Sequence, residues 1–163
     1  MLKNILSGKS CAECRICCLF DNYDLWETPV VSDSLYEKIR HDYPDVEFME
    51  KGKSHLFRCI PEKINGEELY VCPMLDHSKG CKLGDNKPFD CRIWPYRIME
   101  LNGRLVIAIA SICPELYNKP LSQLVEQLDK NGLGDIIFAE AELNPDIIKP
   151  YEEGYPILRV KQA

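Results

Sequence analysis

Several features that would settle a function quickly are missing from this chain. No lysine- or arginine-rich run of five or more residues occurs, and 26 acidic against 20 basic side chains leave a formal charge of −6. That balance argues against sequence-independent nucleic-acid binding, which needs a basic face for phosphates. The longest apolar stretch, "LVIAIASI" at 105–112, is far too short to span a bilayer. The opening "MLKNILSGKS" lacks the apolar run of roughly 7–15 residues that marks a secretory signal. The expectation is a cytoplasmic protein with no membrane segment and no nucleic-acid partner. Also absent are G-x-G-x-x-G after a strand, G-x-x-x-x-G-K-[ST] and G-x-S-x-G, which removes the common nucleotide and hydrolase signatures. A radical S-adenosylmethionine enzyme would want Cys-x-x-x-Cys-x-x-Cys and a barrel-sized domain, and neither is here. Low-complexity runs and internal repeats are lacking, apart from two similar hairpin patterns.

What the chain has in excess is cysteine: nine in 163 residues, four of them packed into "CAECRICC" at 11–18. A chain of this length can bury a sizeable core without covalent staples. In a reducing compartment such thiols are metal ligands or catalytic groups more often than disulfides, and an odd count cannot be fully paired.

The pattern predicts an α+β fold in a single domain over 1–163, with a core at 11–114 and a helical segment and tail at 115–163. "VSDSLYEKIRHDYP" suits a helix capped by Ser32 or Asp33 and stopped before Pro44, with Leu35, Ile39 and Tyr43 on one stripe. "SHLFRCIPEKINGEELYVCPML" reads as two extended runs turning at Asn65-Gly66, and "YRIMELNGRLVIAIA" repeats this at Asn102-Gly103. Asn-Gly suits a type I′ hairpin, whose two central residues both need positive φ. Two hairpins predict a small antiparallel sheet of about four strands. Between them, 73–95 is rich in turn formers and reads as a structured, cysteine-bearing loop. "PLSQLVEQLDKNG" carries Leu121, Leu124, Val125 and Leu128 at helical spacing. "GDIIFAEAELNP" fits helix and strand equally, and the tail is expected to be a loop ending in an extended segment.

On this map eight cysteines fall at loop positions or element ends, and Cys59 lies inside a strand run. Cys-x-x-Cys lets two sulfurs of one turn converge on an ion about 2.3 Å from each. Cys11, Cys14 and Cys17 extend this to a three-thiolate run like the first part of the bacterial ferredoxin pattern. Proline follows Cys72 and Cys113, stiffening the loop after each, so both are candidates to close a site. Side chains of adjacent residues generally point apart, which makes Cys17 and Cys18 an awkward pair for one ion. Two centres, one polynuclear centre, or one centre beside a spare thiol all satisfy the count.

The ordered set "CAECRICC", "CPMLDHSKGCKLGDNKPFDCRIWP" and a final "CP" resembles the zinc- or iron-chelating CxxCxxCC family. The matches are Cys11, Cys14, Cys17 and Cys18; Cys72-Pro73 with Leu75; Gly80-Cys81; Pro88; Cys91-Arg92 with Pro95; and Cys113-Pro114. Lys87 stands where the family often has arginine, and Cys59 has no counterpart. The resemblance implies metal ligation by Cys11, Cys14, Cys17, Cys18, Cys72, Cys81, Cys91 and Cys113, holding a 4Fe–4S cluster or zinc. Arg92, directly after a ligand, is a candidate hydrogen-bond donor to the cofactor's sulfurs. Relatives include flagellin lysine N-methylases, larger proteins that look as if they carry the same cysteine-rich unit.

Three readings stand at this stage: a metal-binding protein in redox, metal handling or an accessory role, with a protein partner or substrate; a small S-adenosylmethionine-dependent relative of those methylases; and a zinc-stapled interaction module. Cys59 reads as a small core residue. His77 could replace a thiolate but reads better as turn-exposed, and His41 and His55 read as surface residues. Trp94 and Tyr96 read as core.

Overall fold

The computed structural model describes residues 12–21 and 26–162. The chain gathers into two compact units, of which the first covers the described residues up to 92 and the second those from 93. The fold is α+β, with helices set among small, mainly antiparallel sheets.

In the first unit the strands are β1 (Leu19–Phe20), β2 (Val30–Val31), β3 (Phe48–Lys51), β4 (Ser54–Phe57), β5 (Ile60–Ile64), β6 (Glu67–Val71), β7 (Leu75–Asp76) and β8 (Gly80–Cys81). They form one three-stranded sheet in the order β1-β6-β5, another in the order β2-β4-β3, and the two-residue pair β7-β8. The helix Asp33–Asp42 starts after Ser32 and ends two residues before Pro44, where the sequence places it. Ser32 occupies the cap position, but its hydroxyl makes no capping bond there and instead lies 3.4 Å from that of Ser34. The helix buries Ile39 against Val31, Phe57, Cys72 and Met74, with Leu35, Tyr36 and Tyr43 packed around them. His55 belongs to this layer and not to the open surface: it stacks on Tyr36 at 3.6 Å between centroids. Asp33 lies 3.4 Å from its Nε2. A lone histidine in a sequence gives no sign of such a stack. His41 is on the surface, 2.8 Å from Asp42.

In the second unit, β9 (Tyr96–Leu101), β10 (Arg104–Ile109), β11 (Lys149–Pro150) and β12 (Ile157–Val160) make one sheet, ordered β11-β9-β10-β12. β11 runs parallel to β9 and the other pairings are antiparallel. The helix Leu121–Asp129 buries Leu124 and Leu128, whereas Leu121 is left exposed. The ambiguous "GDIIFAEAEL" is helical over Leu133–Leu143 and buries Leu133, Ile137, Phe138 and Ala141. That i, i+4, i+8 spacing is a helix stripe; the adjacent Ile136 sits half out in water. Tyr96 is fully buried and its hydroxyl donates to the Leu124 carbonyl at 2.9 Å. Trp94 is buried with the Arg97 guanidinium over its ring at 4.5 Å.

Both Asn-Gly hairpins form, β5-β6 and β9-β10, with Asn65 and Asn102 each at φ 51°. They do not make a common four-stranded sheet; each lies in a different unit and recruits other strands. The run "SHLFRCIPEKI" also divides, because Arg58 N–H bonds the Glu47 carbonyl at 2.9 Å and the chain passes from the β2-β4-β3 sheet into β5. Register within a hairpin is local, but the choice of outer neighbour is made by contacts distant in sequence.

Candidate metal centre

The cysteine head is placed by three local devices. Residues 12–14 are helical, Arg15 adopts the left-handed conformation at φ 58°, and Ile16–Cys18 form a 3₁₀ turn closed by Cys18 N–H to the Arg15 carbonyl at 2.8 Å. From there the chain enters β1, which pairs antiparallel with β6 and sets Leu19 opposite Val71. One step further along that ladder, Cys72 N–H donates to the Cys18 carbonyl at 2.9 Å. The hairpin therefore does more than bear a cysteine at its end: it delivers Cys72 beside Cys18 across 54 residues of sequence.

Cys81 arrives by a tighter path. Leu75 N–H bonds the Cys72 carbonyl at 2.9 Å, and β7-β8 places Cys81 opposite Leu75. The connection between these two strands is held by Asp76. Its Oδ1 accepts from the Ser78 hydroxyl at 2.6 Å and from the Ser78 and Lys79 N–H groups at 2.9 Å each. The Ser78 hydroxyl and these N–H groups draw the Asp76 carboxyl down to about 2. Gly80, at φ +85°, leaves space for the cysteine head: a Cβ there would stand 3.2 Å from that of Ala12.

Cys91 sits on the short helix Phe89–Ile93. This helix is anchored by the buried Asp90, whose Oδ2 accepts from Val30 N–H at 3.0 Å. Asp90 was not singled out by sequence reasoning; the only hint was a carboxylate beside a patterned cysteine.

The thiols that result from this folding feel one another. The sulfurs of Cys17 and Cys18 are 3.9 Å apart. A hydrogen bond from Cys17 draws the Cys18 thiol down. The bond to Cys72, burial, and the neighbouring Cys72 and Cys81 outweigh it and push Cys18 well above the ordinary thiol range. Burial also pushes the Cys91 thiol well up, with Cys17, Cys18, Asp90 and Cys81 adding to the effect. A thiolate formed in such company meets both desolvation and like charge, so the group stays protonated unless a cation arrives. Adjacent residues were expected to point apart, yet the 3₁₀ turn brings Cys17 and Cys18 together. Two sulfurs each about 2.3 Å from a tetrahedral ion stand about 3.8 Å apart, close to the observed spacing.

The remaining cysteines divide as follows. Cys14 is on the preceding helical turn and partly exposed. Cys11 lies outside the described residues. Cys113 belongs to the second unit, buried at the start of the 3₁₀ turn Pro114–Leu116. Cys59 is buried, its thiol raised by desolvation despite a hydrogen bond with Thr28, and it borders a cleft of about 630 Å³ with Tyr43, Val46, Pro61 and Lys82. Arg92 is exposed, its guanidinium over the Phe89 ring at 5.4 Å. His77 is half-exposed on the β7-β8 turn, bonded to Glu62 and Arg15.

Among the described residues no disulfide forms, no group of three or more His, Cys, Asp or Glu side chains is arranged to hold a metal ion, and no helix is long and apolar enough to cross a membrane. The donors fit a thiophilic metal in kind: soft sulfur, partly shielded from water, drawn from separate stretches of chain. No family model matches the chain, and neither do any curated protein or any solved structure.

Proposed function

We propose that this protein binds a thiophilic metal through Cys17, Cys18, Cys72, Cys81 and Cys91. Cys11, Cys14 and Cys113 join the ligand set on the sequence pattern alone. The observation that carries the reading is the meeting of thiols from three separate stretches, 17–18, 72–81 and 91, close enough that their neighbours help to raise Cys18 and Cys91. Without a cation the thiols act as small core groups, Cys72 within the cluster around Ile39 and Cys18 and Cys81 packed against it. With a cation their proximity makes a coordination shell, and metal binding then supports the fold. The 3.9 Å between Cys17 and Cys18 favours a metal that takes both sulfurs, as tetrahedral zinc can. In a 4Fe–4S cube each iron takes one cysteine, and the two thiolates stand farther apart. The reading is therefore a zinc-type thiolate centre in a metal-handling or accessory protein.

Anaerobic purification followed by metal and labile-sulfide analysis tests this. A colourless protein carrying zinc, with Cys72→Ser losing it and Cys59→Ala keeping it, is the expected result. A brown protein with labile sulfide replaces zinc by a cluster, and equal metal content in the two variants overturns the site. Because raised thiols must shed protons to ligate, metal affinity falls as pH falls, and loading releases protons into a weakly buffered solution.

A further inference from the structure

The segment that bears Cys14, Cys17 and Cys18 is tied to the β7-β8 hairpin by a short polar relay. Arg15 Nη1 donates to the His77 carbonyl at 3.0 Å and lies 3.3 Å from His77 Nδ1. On the other side of the ring, His77 Nε2 lies 3.2 Å from Glu62 Oε2 on β5. A guanidinium only donates and a carboxylate only accepts. The two partners therefore select one tautomer, with the proton on Nε2 toward Glu62 and a bare Nδ1 accepting from Arg15.

We infer that Glu62, His77 and Arg15 form a positioning clasp that holds the cysteine head against the β7-β8 hairpin and loosens it when His77 takes up a proton. Protonation puts N–H on Nδ1, which then faces a cation it cannot accept from, and a second positive charge next to Arg15. The contact to Glu62 survives, so the ring keeps its place, and of the two Arg15 contacts the clasp retains only the bond to the His77 carbonyl. Imidazole changes charge between about pH 5 and 8, the range in which such a device acts. The charged groups that meet the ring are Arg15 and Glu62; Lys79 and Asp76, the latter drawn down to about 2 by Ser78 and Lys79, belong to the same turn. The clasp needs no metal and stands independently of the function proposed above.

Hydrogen exchange on the full-length chain under reductant, corrected for intrinsic rates, tests it. Between about pH 7.5 and 5.5 the protection of residues 12–18 should fall roughly two- to five-fold, the effect of losing one exposed charged hydrogen bond. Cys18 N–H, bonded to the Arg15 carbonyl, is the amide to follow. His77→Gln, neutral at every pH, should show no such fall. Arg15→Asn keeps a residue that tolerates positive φ and should lower protection equally at both pH values. A wild-type profile flat with pH overturns the clasp. So does a pH-dependent fall that persists in His77→Gln, or an Arg15→Asn profile like the wild type. Metal content of the same samples reports separately on the thiolate centre, so either idea can fail while the other stands.

Discussion

The two Asn-Gly hairpins share a turn and almost nothing else. β5-β6 is polar and mostly exposed, with Ile60 at 53% of its free surface, and its task is to receive β1 and to end at Cys72. β9-β10 is the spine of its unit, with Tyr96, Ile98, Met99, Ile107 and Ala108 almost entirely buried. The same two-residue signal thus closes a scaffold for thiols in one place and a hydrophobic centre in the other. The turn chemistry is local and transferable; the use made of the strands depends on what each flank can bury.

The sharpest way to break this comparison is to remove matched side chains. Ile107→Ala should cost about 2–5 kcal/mol, because no water can fill the space left in a closed core. Ile60→Ala should change stability by less than about 0.5 kcal/mol. Urea denaturation of both variants measures the gap, and similar losses would mean that β5 is buried after all.

A smaller effect sharpens the shared part. Gly66 and Gly103 sit at φ +92° and +76°, and an added Cβ meets nothing within 4 Å at either. Alanine should therefore cost only the left-handed strain, about 1–2 kcal/mol, and about the same at both sites. Unequal losses would show that the turns differ in more than their flanks.

The smallest effect concerns the turn beyond β6. Asp76 is depressed to about 2 from a usual value near 3.8, so its contribution to stability is present above the unfolded value and is lost as pH falls through the folded one. Asp76→Asn should remove that part of the acid dependence between pH 4 and pH 2, and the midpoint of denaturation against pH measures it. An unchanged acid profile would detach Asp76 from the stability of the β7-β8 connection.

Much of this was legible from residues alone, for identifiable reasons. The helices at 33–42 and 121–129 announce themselves by apolar spacing, and the turns at 65–66 and 102–103 by chemistry that few other dipeptides offer. The helix at 133–143 was ambiguous because "IIFA" fills any periodicity; only burial distinguishes Ile137 from Ile136. The separation of the hairpins into different sheets was not legible, since it depends on β1 and β12 arriving from far along the chain. Spacing marked Cys11, Cys14 and Cys17 as a run and the family resemblance added Cys18, Cys72, Cys81, Cys91 and Cys113, with one centre or two left open; neither could show that a 3₁₀ turn brings Cys17 and Cys18 within 3.9 Å. His77 looked like an ordinary turn residue because its partners, Arg15 and Glu62, lie 62 and 15 positions away.

The contact between Gly80 and Ala12 has a consequence of its own. A Cβ on residue 80 would stand 3.2 Å from the Cβ and 3.3 Å from the Cα of Ala12, so the gap between two sulfur-bearing segments is set by the two smallest side chains available. Together they behave like a shim of fixed thickness. A side chain at residue 80 would press on the backbone of the segment that carries Cys14, Cys17 and Cys18 and ask it to give way by a few tenths of an ångström, with no thiol itself altered.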